Sequence, residues 1–184
     1  MATEKDFEAA HKQVAKWEGG YSNHPKDSGG VTNYGISLKF LIEQGEDINK
    51  DGLINAKDVM AVDKEKAKEL FRKYFWTATC AKNLPSRLAI AYYDLAVNAG
   101  PKRANMVLQE ALNGEGFGLV VDGAVGKLTM AAVNKCNDLW TAARYCVARK
   151  DWYKRLCVSK PDYKVFLDGW INRTTDCLKL VVGY

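Results

Sequence analysis

Apolar residues recur at helical spacing along most of the chain, and this pattern predicts a mainly α-helical protein. In the first segment, Phe7, Ala10 and Val14 fall on one helical face. Thr3 precedes that face and predicts an N-terminal cap, together with Asp6 three residues further on. The same pattern, read with its glycine and proline stops, predicts helices over residues 37–44, 63–76, 87–99, 101–112, 127–135, 138–158 and 162–181.

Alternation of the kind that predicts β-strands is scarce in this chain. It is limited to two short segments, Val31–Ile36 and Phe117–Val121. A loose, glycine-containing seam over 113–126 separates the predicted helices into residues 1–112 and 113–184. We therefore expect a lysozyme-like helical fold of two packed lobes with at most a short β element.

The charge of the chain is unevenly distributed. The 184 residues carry a net charge of +5. Residues 1–100 contain 14 basic and 14 acidic side chains, whereas residues 101–184 contain 13 basic and 8 acidic ones. A basic C-terminal half suits an anionic polymer such as cell wall, nucleic acid or a lipid surface, although solvated helix faces explain the same excess. We find no nucleic-acid-binding motif and expect no nucleic acid partner.

The N-terminal residues lack the basic segment and apolar core of a secretory signal, and no run of about 18 apolar residues is present. We expect a monomer that is made in the cytoplasm without stable membrane insertion. It would reach an external substrate only after release by another factor. The five cysteines form no CxxC pair and the two histidines lie far from them, so we expect neither a disulfide framework nor a zinc site.

A candidate catalytic acid stands at the end of the first predicted helix, in Trp17-Glu18-Gly19-Gly20-Tyr21. A neighbouring tryptophan can desolvate the carboxyl of Glu18 and raise its pKa, which a general acid for glycosides requires. The glycines allow a polymer to approach the backbone, and Tyr21 offers a flat face for a sugar ring. Taken alone, a glutamate in this position is more often part of a solvated helix end.

Further polar residues follow Glu18 across a predicted turn. Glycoside hydrolysis needs an acid on the leaving oxygen and a second group on the opposite face of the sugar, which holds water or supports positive charge. Asp27, Thr32 and Asn33 are the nearby candidates for that second role. We also consider Asn33 and Tyr34, with Tyr21, as candidate substrate-binding residues.

The string WEGGYSNHPKDSGGVTNYGIS resembles the signature of glycoside hydrolase family 108, the peptidoglycan muramidases found as phage endolysins and in bacterial prophage regions. The resemblance extends over nearly the whole chain. It implies a bacteriolytic hydrolase that cleaves the bond between N-acetylmuramic acid and N-acetylglucosamine, with Glu18 as the catalytic acid. It also implies that residues 113–184 bind peptidoglycan. The later matching segments are YDLAVNAGP at 93–101, LQ at 108–109, VDGAVG at 121–126 and GWINR at 169–173.

The spacing between Glu18 and Asp27 is similar to that of phage lysozymes with a Glu, Asp and Thr triad. Thr32 comes one residue early for that pattern, so catalytic roles for Asp27 and Thr32 are hypotheses. Two alternative functions stay open. One is a lytic transglycosylase that acts on the same bond, and the other is a non-catalytic protein that binds the cell wall.

Residues 47–58 fit the twelve-residue calcium loop of EF-hands and are similar to the repeats of dockerin modules. Oxygen-bearing side chains occupy positions 1, 3, 5, 9 and 12, and glycine occupies position 6. We expect one structural Ca²⁺ here, with a merely polar turn as the alternative. The predicted ligands are Asp47, Asn49, Asp51, Asp58 and the backbone carbonyl of Leu53.

Four polar or aromatic residues in the later motifs have a structural interpretation. Asp94 and Asn98 are expected to pin a helix end to a neighbouring loop. Trp170 and Arg173 are expected to pack in the core, with Arg173 in a partly buried ion pair.

Overall fold

A computed structural model describes residues 1–18 and 31–184, and most of them are helical. The α-helices are α1 (Glu4–Ala15), α2 (Leu38–Gln44), α3 (Ala56–Ala61), α4 (Lys64–Phe71), α5 (Ser86–Ala99), α6 (Pro101–Asn113), α7 (Lys127–Val133), α8 (Asp138–Ser159) and α9 (Leu167–Gly183). A π-helical turn covers Arg72–Thr77, and 3-10 turns cover Ala81–Asn83 and Pro161–Phe166. The prediction of a mainly α fold is confirmed.

The β structure is a single small hairpin among the described residues. Strands β1 (Thr32–Asn33) and β2 (Ile36–Ser37) pair antiparallel, so the predicted strand over 31–36 is instead two strands with a turn between them. The predicted strand over 117–121 is wrong. Both backbone groups of Leu119 bond to the side chain of Asn113, at 2.5 and 2.7 Å, instead of to another strand. No helix in the described ranges has the length and apolar character needed to cross a membrane.

The contacts divide the chain into two compact units. The larger unit comprises residues 1–13 and 74–184, and the smaller unit comprises residues 14–73. Residues 113–184, the predicted C-terminal lobe, share the larger unit with α5 and α6, and their helices α8 and α9 pack on α5.

Helix α5 is the centre of the larger unit, because every residue from Leu88 to Ala96 is buried. Its first turn lacks a local side-chain cap. The carboxylate of Asp138, at the start of α8, supplies one instead by accepting from the amides of Arg87 and Leu88 at 3.1 and 2.9 Å. These bonds satisfy two amides that a helix start leaves without partners.

A buried ion cluster joins three helices of this unit. Asp94 of α5 accepts from Arg149 Nη1 of α8 at 2.5 Å and from Arg173 Nε of α9 at 3.0 Å. Asp94 and Arg149 are completely buried. Burial alone would raise the pKa of Asp94, but the two guanidinium groups outweigh it and hold that pKa below its usual value. Arg173 thus forms the ion pair that was expected, whereas Asp94 bonds to two other helices and not to a neighbouring loop.

Tyr153 of α8 extends this cluster toward solvent. Its hydroxyl accepts from Arg149 Nε at 3.1 Å and donates to Asn98 Oδ1 at 2.5 Å. Its ring stacks on Trp170 with centroids 4.8 Å apart. Asn98 therefore bonds to helix α8 and not to a loop, and Trp170 packs on Tyr153 while staying half-buried.

The predicted start of α1 is confirmed by the hydrogen bonds of Asp6. Its carboxylate accepts from the amide of Thr3 at 2.6 Å and from the Thr3 hydroxyl at 2.8 Å. It also accepts from Ser86 and from the hydroxyl of Tyr184, at 3.1 and 2.7 Å. One carboxylate thus connects the first helix, the start of α5 and the C-terminal residue.

The smaller unit has its own apolar core, and its helices have clear ends. Ser37 caps α2 by accepting from the amide of Phe40, and Gly45 ends α2 with a left-handed backbone at φ 68°. Helix α3 was not predicted. It begins at Asn55, whose side chain forms a reciprocal capping box with Asp58. The core side chains are Ile36, Leu41, Val59, Val62, Leu70 and Phe71, all 3% exposed or less.

The ion cluster generates a stability prediction. Asp94→Ala leaves two buried guanidinium groups without their carboxylate, so we expect the free energy of unfolding to fall by about 3–5 kcal/mol. Urea unfolding followed by circular dichroism measures this change. The control is Asp151→Ala, which removes an exposed pair with Lys154 at 3.4 Å and should cost about 1 kcal/mol or less. Equal losses in the two variants would contradict a stabilising role for the cluster.

Candidate active site

Glu18 lies just after the end of α1, in the smaller unit. The amides of Trp17 and Glu18 both donate to the carbonyl of Val14, at 2.9 and 3.1 Å, so the chain makes a tight final turn beyond Ala15. The side chain of Glu18 is half-buried. Its backbone is therefore held by the helix end, while part of the side chain stays accessible to solvent.

The turn of the β-hairpin lies against the Glu18 side chain. The two turn residues, Tyr34 and Gly35, both have positive φ angles of 46° and 79°. Such two-residue turns match the twist of the flanking strands. A left-handed backbone is easy for glycine, but it is unusual for a bulky residue such as Tyr34. The hairpin therefore holds Tyr34 in a conformation that costs about 1–3 kcal/mol.

Gly35 allows this close approach because it has no side chain. A Cβ atom built on Gly35 would lie 2.7 Å from Glu18 Oε2 and 3.1 Å from Glu18 Cβ. It would also lie 3.0 Å from Cζ of Phe71, a buried residue at the end of α4. Glu18 and Phe71 thus occupy the space that a side chain at position 35 would need, and any larger residue would displace one of them.

Asn33, the residue before the turn, fixes the hairpin to α3 and to the residue that follows it. Its side chain is 9% exposed, and Nδ2 donates to the carbonyls of Val59 and Val62 at 3.3 and 2.9 Å. These bonds use both hydrogens of the amide, so any contact with a substrate would have to come from Oδ1. Asn33 thereby positions the turn, and a direct role in substrate binding stays a prediction.

The structure locates only part of the predicted catalytic set. Thr32 begins β1 and is half-buried, as is Tyr34 in the turn. Both belong to the hairpin that contacts Glu18 through Gly35. Tyr21 and Asp27 lie outside the described residues, and their roles stay predictions.

Two residues of the site, Gly35 and Phe71, were not predicted. The sequence does carry a signal for Gly35, because a glycine at the second position of a two-residue turn between β-favouring residues predicts a hairpin. Phe71 has no comparable signal. It follows Gly35 by 36 positions, and its apolar helical spacing shows burial without showing what it contacts.

The loop over 47–58 folds through its own polar side chains. Asp47 accepts from the amides of Lys50 and Gly52 at 2.6 and 2.8 Å, while Asp51 accepts from the amide of Leu53 at 2.9 Å. Asn49 both donates to Asp51 Oδ2 and accepts from its amide. Lys50 and Gly52 have left-handed backbones at φ 62° and 86°. This exposed turn carries four of the five predicted calcium ligands.

Asp58, the fifth predicted ligand, is completely buried and bonded to backbone amides. Its Oδ1 accepts from Ile48 and Asn49 at 2.9 and 3.2 Å, and its Oδ2 accepts from Asn55 at 2.8 Å. Burial would raise the pKa of Asp58, but these amides outweigh it and lower that pKa. Within the described ranges, no three acidic, histidine or cysteine side chains converge to hold a metal. Asp58 is thus bonded to three backbone amides, and its role as a calcium ligand stays a prediction.

Two family models match this chain over most of its length. The model described as Glycosyl hydrolase 108 matches residues 11–100, a range that includes Glu18, the hairpin and α4. The model described as Predicted Peptidoglycan domain matches residues 103–175. The chain is also similar to SagA of Brucella abortus, with 31% sequence identity and a TM-score of 0.79. That match covers 99% of this chain and 97% of the SagA chain, whereas no curated protein matches in sequence.

The contact between Gly35 and Glu18 generates a second stability prediction. Gly45 is the matched control, because it also has a positive φ but has nothing within 4 Å of a built Cβ. Gly45→Ala should therefore cost only backbone strain, about 1–2 kcal/mol. Gly35→Ala adds overpacking against Glu18 and Phe71 and should cost about 1–3 kcal/mol more. Urea unfolding measures both values.

A double variant separates the two contributions at Gly35. Glu18 supplies the atom nearest to the methyl group that Gly35→Ala adds. Glu18→Ala removes that atom, so it should recover part of the stability that Gly35→Ala removes. Additive losses would mean that the two side chains do not meet.

Proposed function

Because this chain belongs to the glycosyl hydrolase 108 family, we propose that it is an N-acetylmuramidase in which Glu18 is the general acid. Its two family matches indicate a glycoside hydrolase that acts on peptidoglycan. Beyond this, we propose which glycosidic bond is cleaved and which residue is the general acid. The bond joins N-acetylmuramic acid to the following N-acetylglucosamine, and Glu18 protonates the oxygen of that bond.

The placement of Glu18 against Gly35 is the observation that carries the proposal. A general acid must hold its proton in one position relative to the leaving oxygen, so a rigid setting favours catalysis. Glu18 has that setting, because its backbone bonds to the end of α1 and its side chain lies against a hairpin that Asn33 anchors. A half-buried carboxyl can still contact a polymer that approaches from the solvent.

The proposed reaction is a hydrolysis with a simple balance of atoms. Glu18 donates its proton to the glycosidic oxygen, and the electron pair of the breaking bond leaves with that oxygen. Water forms the new bond to C1 of N-acetylmuramic acid and releases a proton that restores the acid. We propose that Asp27, with Thr32 of the hairpin, positions this water or supports the positive charge at C1.

Digestion of purified peptidoglycan tests the proposal directly. We expect the wild type to release fragments with reducing N-acetylmuramic acid ends, identified by mass spectrometry. Glu18→Gln keeps the shape of the side chain but cannot donate the proton, so its rate should fall by about 10²–10⁴-fold. Glu43→Gln, at an exposed position of α2, is the matched control and should keep the wild-type rate.

The product mass separates the competing reactions. Fragments with anhydro ends, lighter by one water, would move the assignment to a lytic transglycosylase. A Glu18→Gln variant with an unchanged rate would remove Glu18 from the mechanism. No cleavage by the wild type would leave a protein that only binds the wall.

We also propose that the exposed turn of the 47–58 loop binds one Ca²⁺. Calcium prefers six to eight oxygen ligands, and Asp47, Asn49, Asp51 and the Leu53 carbonyl are grouped in that turn. Asp58, the fifth predicted ligand, also joins the loop to the start of α3 through its hydrogen bonds. The ion would neutralise neighbouring carboxylates and stabilise the smaller unit.

Thermal melting with calcium and with a chelator tests this second proposal. Calcium should raise the melting temperature of the wild type but not that of Asp51→Ala. Asp58→Ala should melt lower than the wild type even in chelator, because three backbone amides lose their acceptor. A wild-type melting temperature that is the same in calcium and chelator would overturn the calcium proposal. Loss of the calcium effect in Asp58→Ala would make Asp58 a ligand.

A further inference from the structure

The larger unit contains a groove of about 580 Å³ that lies between the 117–126 loop and α7. It is lined by residues from 109 to 135, so it falls inside the range that matches the Predicted Peptidoglycan domain model. None of the residues considered above as catalytic or metal-binding lines it. The groove is therefore distinct from the site around Glu18.

The loop that forms one wall of the groove is held by a buried glutamine. Gln109 of α6 is 2% exposed, and its Nε2 donates to Asp122 Oδ1 at 2.8 Å and to the carbonyl of Ala124 at 3.1 Å. Its Oε1 accepts from the amide of Gly123 at 2.8 Å. Asn113 binds both backbone groups of Leu119 in the same way. The groove is thus preformed, which lowers the entropic cost of binding a ligand.

The walls of the groove are mainly aliphatic and small. Val120 is 77% exposed and Leu128 is 79% exposed, on the loop and on α7 respectively. Ala124, Ala131 and Ala132 add methyl groups. Sugar sites commonly stack rings on aromatic faces, but Phe117 is the one aromatic residue in this lining. These walls suit methyl side chains better than pyranose rings.

The charged groups of the groove favour an anionic ligand. Lys127 and Lys135 are exposed in the lining. The single carboxylate there, Asp122, accepts from Gln109 and from the amide of Ala124, and the bond from Gln109 lowers its pKa. The oxygens of Asp122 are thus partly occupied by hydrogen bonds within the protein. The two lysines leave the lining with an excess of positive charge. This excess of basic side chains in the groove agrees with the excess of basic over acidic residues in 101–184.

We propose that this groove binds the peptide stem of peptidoglycan, a short peptide that combines alanine methyl groups with free carboxylates. The aliphatic walls would contact the methyl groups, and Lys127 and Lys135 would contact the carboxylates. The proposal rests on the proposed function, because it gives the polymer cut near Glu18 a second point of attachment. It makes the peptide stem, and not the glycan, the part that the C-terminal region recognises.

Titration calorimetry with the full chain tests the proposal. The probe is the free stem tripeptide L-Ala–γ-D-Glu–diaminopimelate, and the comparison ligand is an uncharged N-acetylglucosamine tetramer. We expect saturable binding of the tripeptide that weakens by about tenfold or more in Lys127→Ala/Lys135→Ala, and that weakens further as salt rises. Lys82→Ala, at an exposed position outside the groove, is the matched control and should bind as the wild type does.

Each remaining outcome is decisive. An absence of tripeptide binding, or equal binding by the double lysine variant, would overturn the proposal. Competition by the sugar tetramer for the same site would replace the stem with the glycan as the ligand. Leu128→Asp provides a second variant, since it leaves both lysines in place and should repel the anionic probe.

The proposal and the proposed function fail independently. Glu18→Gln should bind the tripeptide as tightly as the wild type, because Glu18 lies outside the groove. Cleavage of peptidoglycan without tripeptide binding would contradict the groove assignment alone. Tripeptide binding by a chain that cleaves nothing would contradict the muramidase assignment alone.

Discussion

One buried carboxylate, Asp94, pairs with guanidinium groups from two other helices, and the packing of the larger unit depends on that arrangement. Taking these charges out of water costs several kcal/mol for each ion, so the cluster is stable only with close geometry and further hydrogen bonds. Arg149 has both, since it bonds to Asp94 and to the hydroxyl of Tyr153. The groove of the larger unit is built on α6, which packs against both α5 and α8.

The smaller unit positions Glu18, its proposed acid, by a different physical means. Around Glu18 the decisive feature is a missing side chain, because the backbone of Gly35 lies where a Cβ would collide with the carboxylate. The hairpin can offer that surface only with two successive left-handed residues. Tyr34 bears the strain of this backbone, and the buried bonds of Asn33 hold the strained turn in place. Strain of this kind, held by a well-packed surrounding, is typical of functional sites.

Local signals in the sequence predicted the helices well, but they did not predict which distant segments are in contact. Ser37 and Gly45 mark the ends of α2, and Pro101 marks the start of α6, because caps and stops act within a few residues. Helix α3 was missed, since the motif that starts at Asn55 was interpreted as the end of a calcium loop. Glu18 was predicted to be the acid from its neighbours in sequence, and that role stays a prediction. The contact of Glu18 with the hairpin was not predicted, because a sequence pattern alone does not show which segments are in contact.

The order of the ion cluster along the chain affects how the protein folds. Asp94 precedes Arg149 by 55 residues and Arg173 by 79 residues. During synthesis, α5 therefore emerges well before either cation that its carboxylate needs. Until α8 and α9 follow, the apolar residues of α5 remain exposed to water and to other nascent chains. Contacts so distant in sequence slow folding, so the larger unit completes its core only after α9 has been synthesised.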